Sequence, residues 1–320
     1  MQITRAVVLV TGLAACGGCA VARAPGTSAA QPVVVQGAMD VEVRALAAVL
    51  TNAREERVRE FRFWIGTIDG YPVVVSKTLK GMENAAAATA LAAERYHPAA
   101  IINQGTAGGH QPDLHVFDIV LGVEAVNLGS FKTGYRARGD GSVVADWSPL
   151  DLLRTEGSAG QDPNARAMRR FRGDPGLLDA ARRVRGRYQR GQVIEGVIGS
   201  SEVWNSELDR IGHFHDRFGT TAEEMETAAA AQIAGMFGIP FLGIRVLSNN
   251  ITNDGAYNPK TGEACDRSRS TTSCSVLIDL QSATIACSRA VRRRSERQRS
   301  IASRQVILVS QARNASRSRN

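Results

Sequence analysis

Cysteine is scarce in this chain, and where it occurs it builds no metal site. The 320 residues include five, Cys16, Cys19, Cys265, Cys274 and Cys287, and none of their spacings suits a zinc ligand set. The glycine-rich segment 103–109 lacks the lysine of a P-loop, which excludes a triphosphate cradle of that kind. After the first fifteen residues no apolar run is long enough to cross a bilayer as a helix, and no internal repeat is present. His213 and His215 stand two apart, but in a polar stretch between expected elements, so they read as solvated surface. No metal and no redox cofactor is expected.

Glycine, proline, lysine and aromatic residues are missing altogether from residues 266–320. That segment carries twelve Arg and twelve Ser with three acids, a net of +9. The whole chain is +8, so the first 265 residues, with 27 basic and 28 acidic side chains, are close to neutral. Charge confined to one end argues against nucleic acid as the partner of the body. The apolar islands 276–280 and 306–309 have no amphipathic period. Two readings of this tail are open: a reading frame that shifts after about Cys265, leaving disordered sequence, or a real basic tail for anionic lipid or nucleic acid.

The other end reads as a targeting signal. Arg5 precedes a short apolar run over residues 6–13, and Leu13-Ala14-Ala15-Cys16 follows. Residues 1–15 fit a signal peptide, too short to span a membrane. Leu-Ala-Ala-Cys resembles a bacterial lipobox, which would make Cys16 the lipidated first residue of the mature protein. A plain secretory signal with an incidental cysteine is the alternative. Residues 16–32 read as a flexible tether. The lipobox reading places the protein in the bacterial periplasm or at the cell surface, membrane-associated through its anchor only. An oxidising compartment would let Cys265 pair with Cys274 or Cys287, or these cysteines stay unpaired.

Between the ends, an apolar fraction of 43% supplies a sizeable core. Strands are expected at 32–36, 64–68, 71–76, 99–103, 118–126, 193–198 and 241–247. Helices are expected at 40–56, 84–96, 177–188 and 222–237. Alternating strands and helices predict a single α/β domain over 33–265, with a central mainly parallel or mixed sheet flanked by helices. Residues 129–176, polar and rich in Gly, Arg and Asp, read as an insertion.

Three segments concentrate the chemistry. Gly37-Ala38-Met39-Asp40-Val41-Glu42-Val43 follows the first strand. Asn103-Gln104-Gly105-Thr106-Ala107-Gly108-Gly109 ends the strand at 99–103, where glycine lets a backbone approach a ligand. Glu224-Met225-Glu226 precedes a strand that finishes Arg245-Val246-Leu247-Ser248-Asn249-Asn250. Each alone has a plainer reading: a helix-face acid, a tight turn, an acidic helix start. Together and in this order they resemble the nucleoside phosphorylase/nucleosidase superfamily, closest to its 5′-methylthioadenosine/S-adenosylhomocysteine nucleosidases.

The resemblance implies a purine nucleoside N-ribosyl hydrolase that works without a cofactor and as a homodimer. Glu42 would activate water, and Glu226 would accept hydrogen bonds from the ribose hydroxyls. Thr106, Ala107, Gly108 and Met225 would line the ribose and base pocket. Arg245 would pair with Glu226 and fix it. Trp204 would stack on the base, or serve as a core residue. The adenine-specific members carry Ser-Asp where this chain has Ser248-Asn249, and their aspartate delivers a proton to purine N7. Asn249 has none to give. Either the base is a 6-oxopurine, or catalysis leans on water and Glu42. A non-catalytic nucleoside-binding or storage protein and a nucleoside phosphorylase are the other functions open to this scaffold; Glu42 argues against the phosphorylase.

Overall fold

The computed structural model describes residues 30–153 and 167–253. The expected leader, Cys16 with most of the tether, the cysteine pairings and the 266–320 tail lie outside the described residues.

In chain order the first half comprises β1 (Val33–Gly37), α1 (Asp40–Ala48), β2 (Thr51–Val58), β3 (Phe61–Ile68), β4 (Tyr71–Lys77), α2 (Met82–Tyr96), β5 (Ala100–Gly109) and β6 (Ile119–Asn127). Four short strands follow: β7 (Phe131–Lys132), β8 (Ser148–Pro149), β9 (Leu152–Leu153) and β10 (Ala167–Met168). The rest is β11 (Arg170–Arg172), α3 (Pro175–Val184), β12 (Val193–Ser200), α4 (Leu208–Phe218), β13 (Thr220–Glu224), α5 (Thr227–Met236) and β14 (Phe241–Asn249).

Val33, Val34 and Val35 are fully buried, the outer two in one core cluster and Val34 in the other. Such two-sided burial is what a continuous apolar run in a parallel strand requires. β1 accordingly lies between β4 and β5, parallel to both. Ten strands form one mixed sheet in the order β11-β6-β12-β13-β5-β1-β4-β3-β2, and β14 pairs with both β5 and β6. β14 thereby closes β5, β13, β12 and β6 into a ring. α1 and α3 cover the Val33 face through Val43, Leu46, Leu177 and Leu178. The alanine-rich α2 and α5 cover the other through Ala92, Ala228, Ala231 and Ala234. The carboxyl ends of β1, β5, β12, β13 and β14 meet at one end of the sheet, the usual place for a ligand crevice in an α/β fold.

Two expected helices are corrected. The first stops at Ala48, and residues 51–58 form the exposed edge strand β2. Its run of Arg and Glu, helical in appearance, blunts a sheet edge. The helix expected from 222 begins only at Thr227, because residues 220–224 are buried in β13, paired with β12 and β5. Strand pairing overrides the helix preference of Ala and Glu there. The stretch around His213 and His215 is not a solvated loop but α4, which buries Ile211, Phe214 and Phe218 and ends at Gly219 in the left-handed region. His215 is half-buried, its Nδ1 2.8 Å from the Thr220 carbonyl. The strand expected at 99–103 is corrected too: β5 runs on to Gly109, because residues 105–109 pair with β14 and β13, so the glycine-rich segment is strand and not a loop. The remaining expected elements stand within a few residues of their bounds. In the insertion, β7 pairs with β8, β9 with β10, and β11 forms the sheet edge beside β6.

Candidate active site

Glu42 occupies the third position of α1 and is only 5% exposed. Its Oε2 accepts hydrogen bonds from the backbone N–H groups of Ala38 (2.8 Å) and Met39 (3.0 Å). Its Oε1 accepts from Thr106 N (2.9 Å) and Thr106 Oγ1 (3.3 Å). The same carboxylate thus caps α1 and ties it to the end of β5. Gly105 makes this possible: a Cβ there would lie 2.8 Å from Glu42 Oε1.

At the end of β13, Glu224 and Glu226 have different surroundings. Glu224 is saturated: it accepts from Ser200 Oγ, from Glu226 N (3.1 Å), from Thr227 N (3.0 Å) and from Arg245. Arg245 is 1% exposed. Its Nε sits 2.9 Å from Glu224 Oε2, Nη2 also contacts that oxygen, and the remaining donors reach Asn103 and the Ile244 carbonyl. The expected partnership of Arg245 with Glu226 is therefore corrected. The guanidinium lies behind the cavity wall, and its carboxylate is Glu224. Glu226, 8% exposed, accepts a hydrogen bond from Gly81 N at 3.0 Å. Burial first, then the Glu224 charge, push the Glu226 carboxyl up to about 8, with Arg245 and the Gly81 N–H opposing and Glu42 adding to the rise.

At the end of β14, Ser248 Oγ donates to Asn249 Oδ1 (3.0 Å) and lies 3.3 Å from the Ala107 carbonyl. That leaves the Asn249 amide N–H groups as donors for a ligand. Gly108 packs against this amide; a Cβ there would stand 3.3 Å from Nδ2. Trp204, from the loop after β12, is 62% exposed at the cavity mouth, so it is no core residue.

A cavity of about 200 Å³ brings these groups together. Glu42, Thr106, Ala107 and Gly108 line one part; Met225, Glu226, Ser248, Asn249 and Trp204 line the rest. Of the residues expected at the site, Arg245 alone is not part of the lining. Among the lining residues that the sequence reading did not assign to the site are His110, Asn205 and Glu223. His110 Nε2 lies 3.1 Å and Asn205 Nδ2 2.9 Å from Glu223 Oε2, while Ser201 Oγ lies 2.8 Å from Oε1. Burial alone would raise the Glu223 carboxyl, but His110, Asn205 and Ser201 hold it below the ordinary glutamate range. Only the strand register of β13, hidden behind a helix-like sequence, could have exposed this cluster.

Among the described residues no group of three acidic, His or Cys side chains is gathered as a metal site. What the cavity offers is carboxylates, amide donors and an exposed aromatic side chain. That is the equipment for holding a sugar and a heterocycle while the bond between them breaks, the work of an N-glycosidase.

The comparisons agree with that class. The sequence model of the phosphorylase superfamily matches residues 32–280. A 5′-methylthioadenosine/S-adenosylhomocysteine nucleosidase of Shewanella oneidensis is 34% identical over 236 residues, 71% of this chain and 89% of the relative. The enzyme of that name from Anoxybacillus flavithermus is 32% identical over 218 residues, 68% of this chain and 84% of its own. The crystal structure of the Neisseria meningitidis nucleosidase superimposes with a TM-score of 0.59 at 25% identity, covering 81% of this chain and 99% of that one. The chain belongs to the phosphorylase superfamily. Within it, its relatives place it among the nucleosidases, hydrolases of N-glycosyl compounds.

Proposed function

We propose that the protein hydrolyses the N-glycosidic bond of purine ribonucleosides, releasing the free base and a ribosyl sugar. The observation that carries this reading is the shared cavity of Glu42, Glu226 and Asn249. Glu226, as a carboxylate, accepts hydrogen bonds from the ribose 2′ and 3′ hydroxyls. Those bonds strengthen as the ring becomes oxocarbenium-like. Glu42 takes a proton from water, whose oxygen bonds to the anomeric carbon. The electron pair of the breaking C–N bond passes to the base. An N–H of Asn249 binds purine N7, and since the amide cannot give up a proton, the departing base takes one from solvent. Trp204 covers the base, Met225 the ribose, and Thr106, Ala107, Gly108 and Ser248 complete the walls. Arg245 is a positioning residue that acts through Glu224.

A phosphorylase would need an anion where Glu42 stands, and like charges disfavour it there. The names of the relatives make methylthioadenosine and adenosylhomocysteine the first nucleosides to test, beside adenosine, inosine and guanosine. Base release in phosphate-free buffer, lost in Glu226→Gln, supports the reading. No release from any of the five by folded protein overturns it for these substrates.

The protein works as a homodimer, held by lipid at Cys16 in the bacterial periplasm or at the cell surface. The Leu-Ala-Ala-Cys sequence supports the anchor, and family resemblance supports the dimer. Membrane fractionation of a Cys16→Ser variant and the solution mass test both. A variant that stays with the membrane, or a monomer, contradicts them.

A further inference from the structure

Two adjacent backbone N–H groups at the start of α2 meet carboxylates from different parts of the chain. Gly81 N donates to Glu226 Oε1 at 3.0 Å, and Met82 N donates to Glu202 Oε1. Glu226 belongs to the cavity. Glu202 belongs to segment 201–205 after β12, whose Val203, Trp204 and Asn205 line the cavity. Ser201 and Asn205 fasten the two ends of this segment to Glu223, at 2.8 and 2.9 Å. Glu202 gives it a third fixed point, on another element.

The turn that Glu202 grips is bent. Leu79 has φ +67° and Gly81 φ +100°. A bulky residue in the left-handed region is strained and stays there only where its surroundings hold it. On one side of the turn, Thr78 N donates to the Gly37 carbonyl at 2.9 Å. On the other, Glu202 packs on Gly81 itself: a Cβ there would stand 3.0 Å from Glu202 Oε2. Burial first, then the neighbouring Glu83, push the Glu202 carboxyl up against the pull of the Met82 N–H. What this place uses in Glu202 is therefore an acceptor rather than a charge. We propose that Glu202 is a positioning residue for nucleoside cleavage: it fastens segment 201–205, and Trp204 with it, to the start of α2, and it fixes the Gly81 N–H on which Glu226 rests. This inference rests on the nucleosidase reading and adds to it a residue that touches no substrate.

The test deletes each half of the Glu202–Met82 bond in the full chain. Glu202→Ala removes the acceptor. Met82→Pro removes the donor at the first position of α2, where helices tolerate proline, and Gly81 already has the extended ψ of 156° that a residue before proline requires. Each is expected to raise KM for the nucleoside by about tenfold, and the double variant by no more than either alone. The rising limb of kcat/KM, assigned to Glu226, should move to higher pH in both, because the Gly81 N–H is one of the groups holding that carboxyl down. Glu202→Gln, whose amide oxygen still accepts from Met82, should recover most of both losses. A merely structural role would lower the melting temperature without moving the limb. Unchanged KM and limb in Glu202→Ala overturn the proposal. So do additive losses in the double variant, or a folded Glu202→Gln as impaired as Glu202→Ala. If Met82→Pro does not fold, Glu202→Ala, at an exposed side chain, decides. Amide hydrogen exchange without nucleoside separates this failure from that of the hydrolase. Residues 79–83 and 201–205 should exchange about tenfold faster in Glu202→Ala than in the unaltered protein or Glu202→Gln. Faster exchange without cleavage of any nucleoside supports the fastening and sinks the hydrolase; unchanged exchange sinks the fastening.

Discussion

Arg245 closes on Glu224 and leaves Glu226, two residues on, without an ion-pair partner among the described residues. The guanidinium neutralises Glu224, and Glu226 stays exposed to the repulsion of its neighbour. The pH dependence of the protein follows from that division.

The Glu226 carboxyl titrates at about 8, above its ordinary 4.5. A raised carboxyl stabilises the fold in its neutral form. That contribution is complete below about 4.5 and is lost as pH rises through about 8. The melting temperature of the free protein should therefore fall across this window, and Glu226→Gln should remove that part of the slope. With ribose held by the carboxylate, as proposed, kcat/KM should rise with pH to a plateau above about 8. Thermal melts and pH–rate profiles check both. A flat kcat/KM profile from pH 6 to pH 9 would contradict the assignment.

Removing Arg245 leaves Glu224 buried and uncompensated. Arg245→Met is expected to cost about 3–5 kcal/mol by chemical denaturation. Glu224→Gln added to it should recover part of that loss, because the pair then holds no charge. Additive losses in the double variant would show that the two do not act as a pair.

Gly105→Ala places a methyl group 2.8 Å from Glu42 Oε1, and the carboxylate must move. An activity loss of about a hundredfold in kcat is expected, with the fold retained. Unchanged kcat would show that the position of Glu42 does not matter to the reaction.

Much of this was legible in advance, and the misses have physical causes. The Val33–Val35 run and the alanine-rich α2 announce their burial by composition alone, because apolar side chains have one place to go. Glu42, Glu226 and Asn249 were found by their place in ordered motifs. Residues 220–224 were not: Thr-Thr-Ala-Glu-Glu is a helix start by propensity and becomes a strand because the β5–β12 gap must be filled. With that register hidden, Glu223 could not be set beside Gly108, nor Arg245 beside Glu224. Charge pairing across strands is a tertiary fact, and the nearest acid in sequence logic, Glu226, was the wrong partner.

Asn249→Asp restores a titratable group at N7. On adenosine-type substrates kcat is expected to rise by about tenfold, with a fall at higher pH, as the new carboxylic acid ionises, that the unaltered protein lacks. No gain on any adenine nucleoside would argue that N7 does not meet this residue.

The most direct test of the central claim is hydrolysis in water enriched in oxygen-18, with inorganic phosphate present, read by mass spectrometry of the sugar. The account predicts free ribosyl sugar labelled at its anomeric oxygen, with formation abolished in Glu42→Gln. Sugar 1-phosphate without label would instead make the protein a phosphorylase and remove Glu42 from the chemistry.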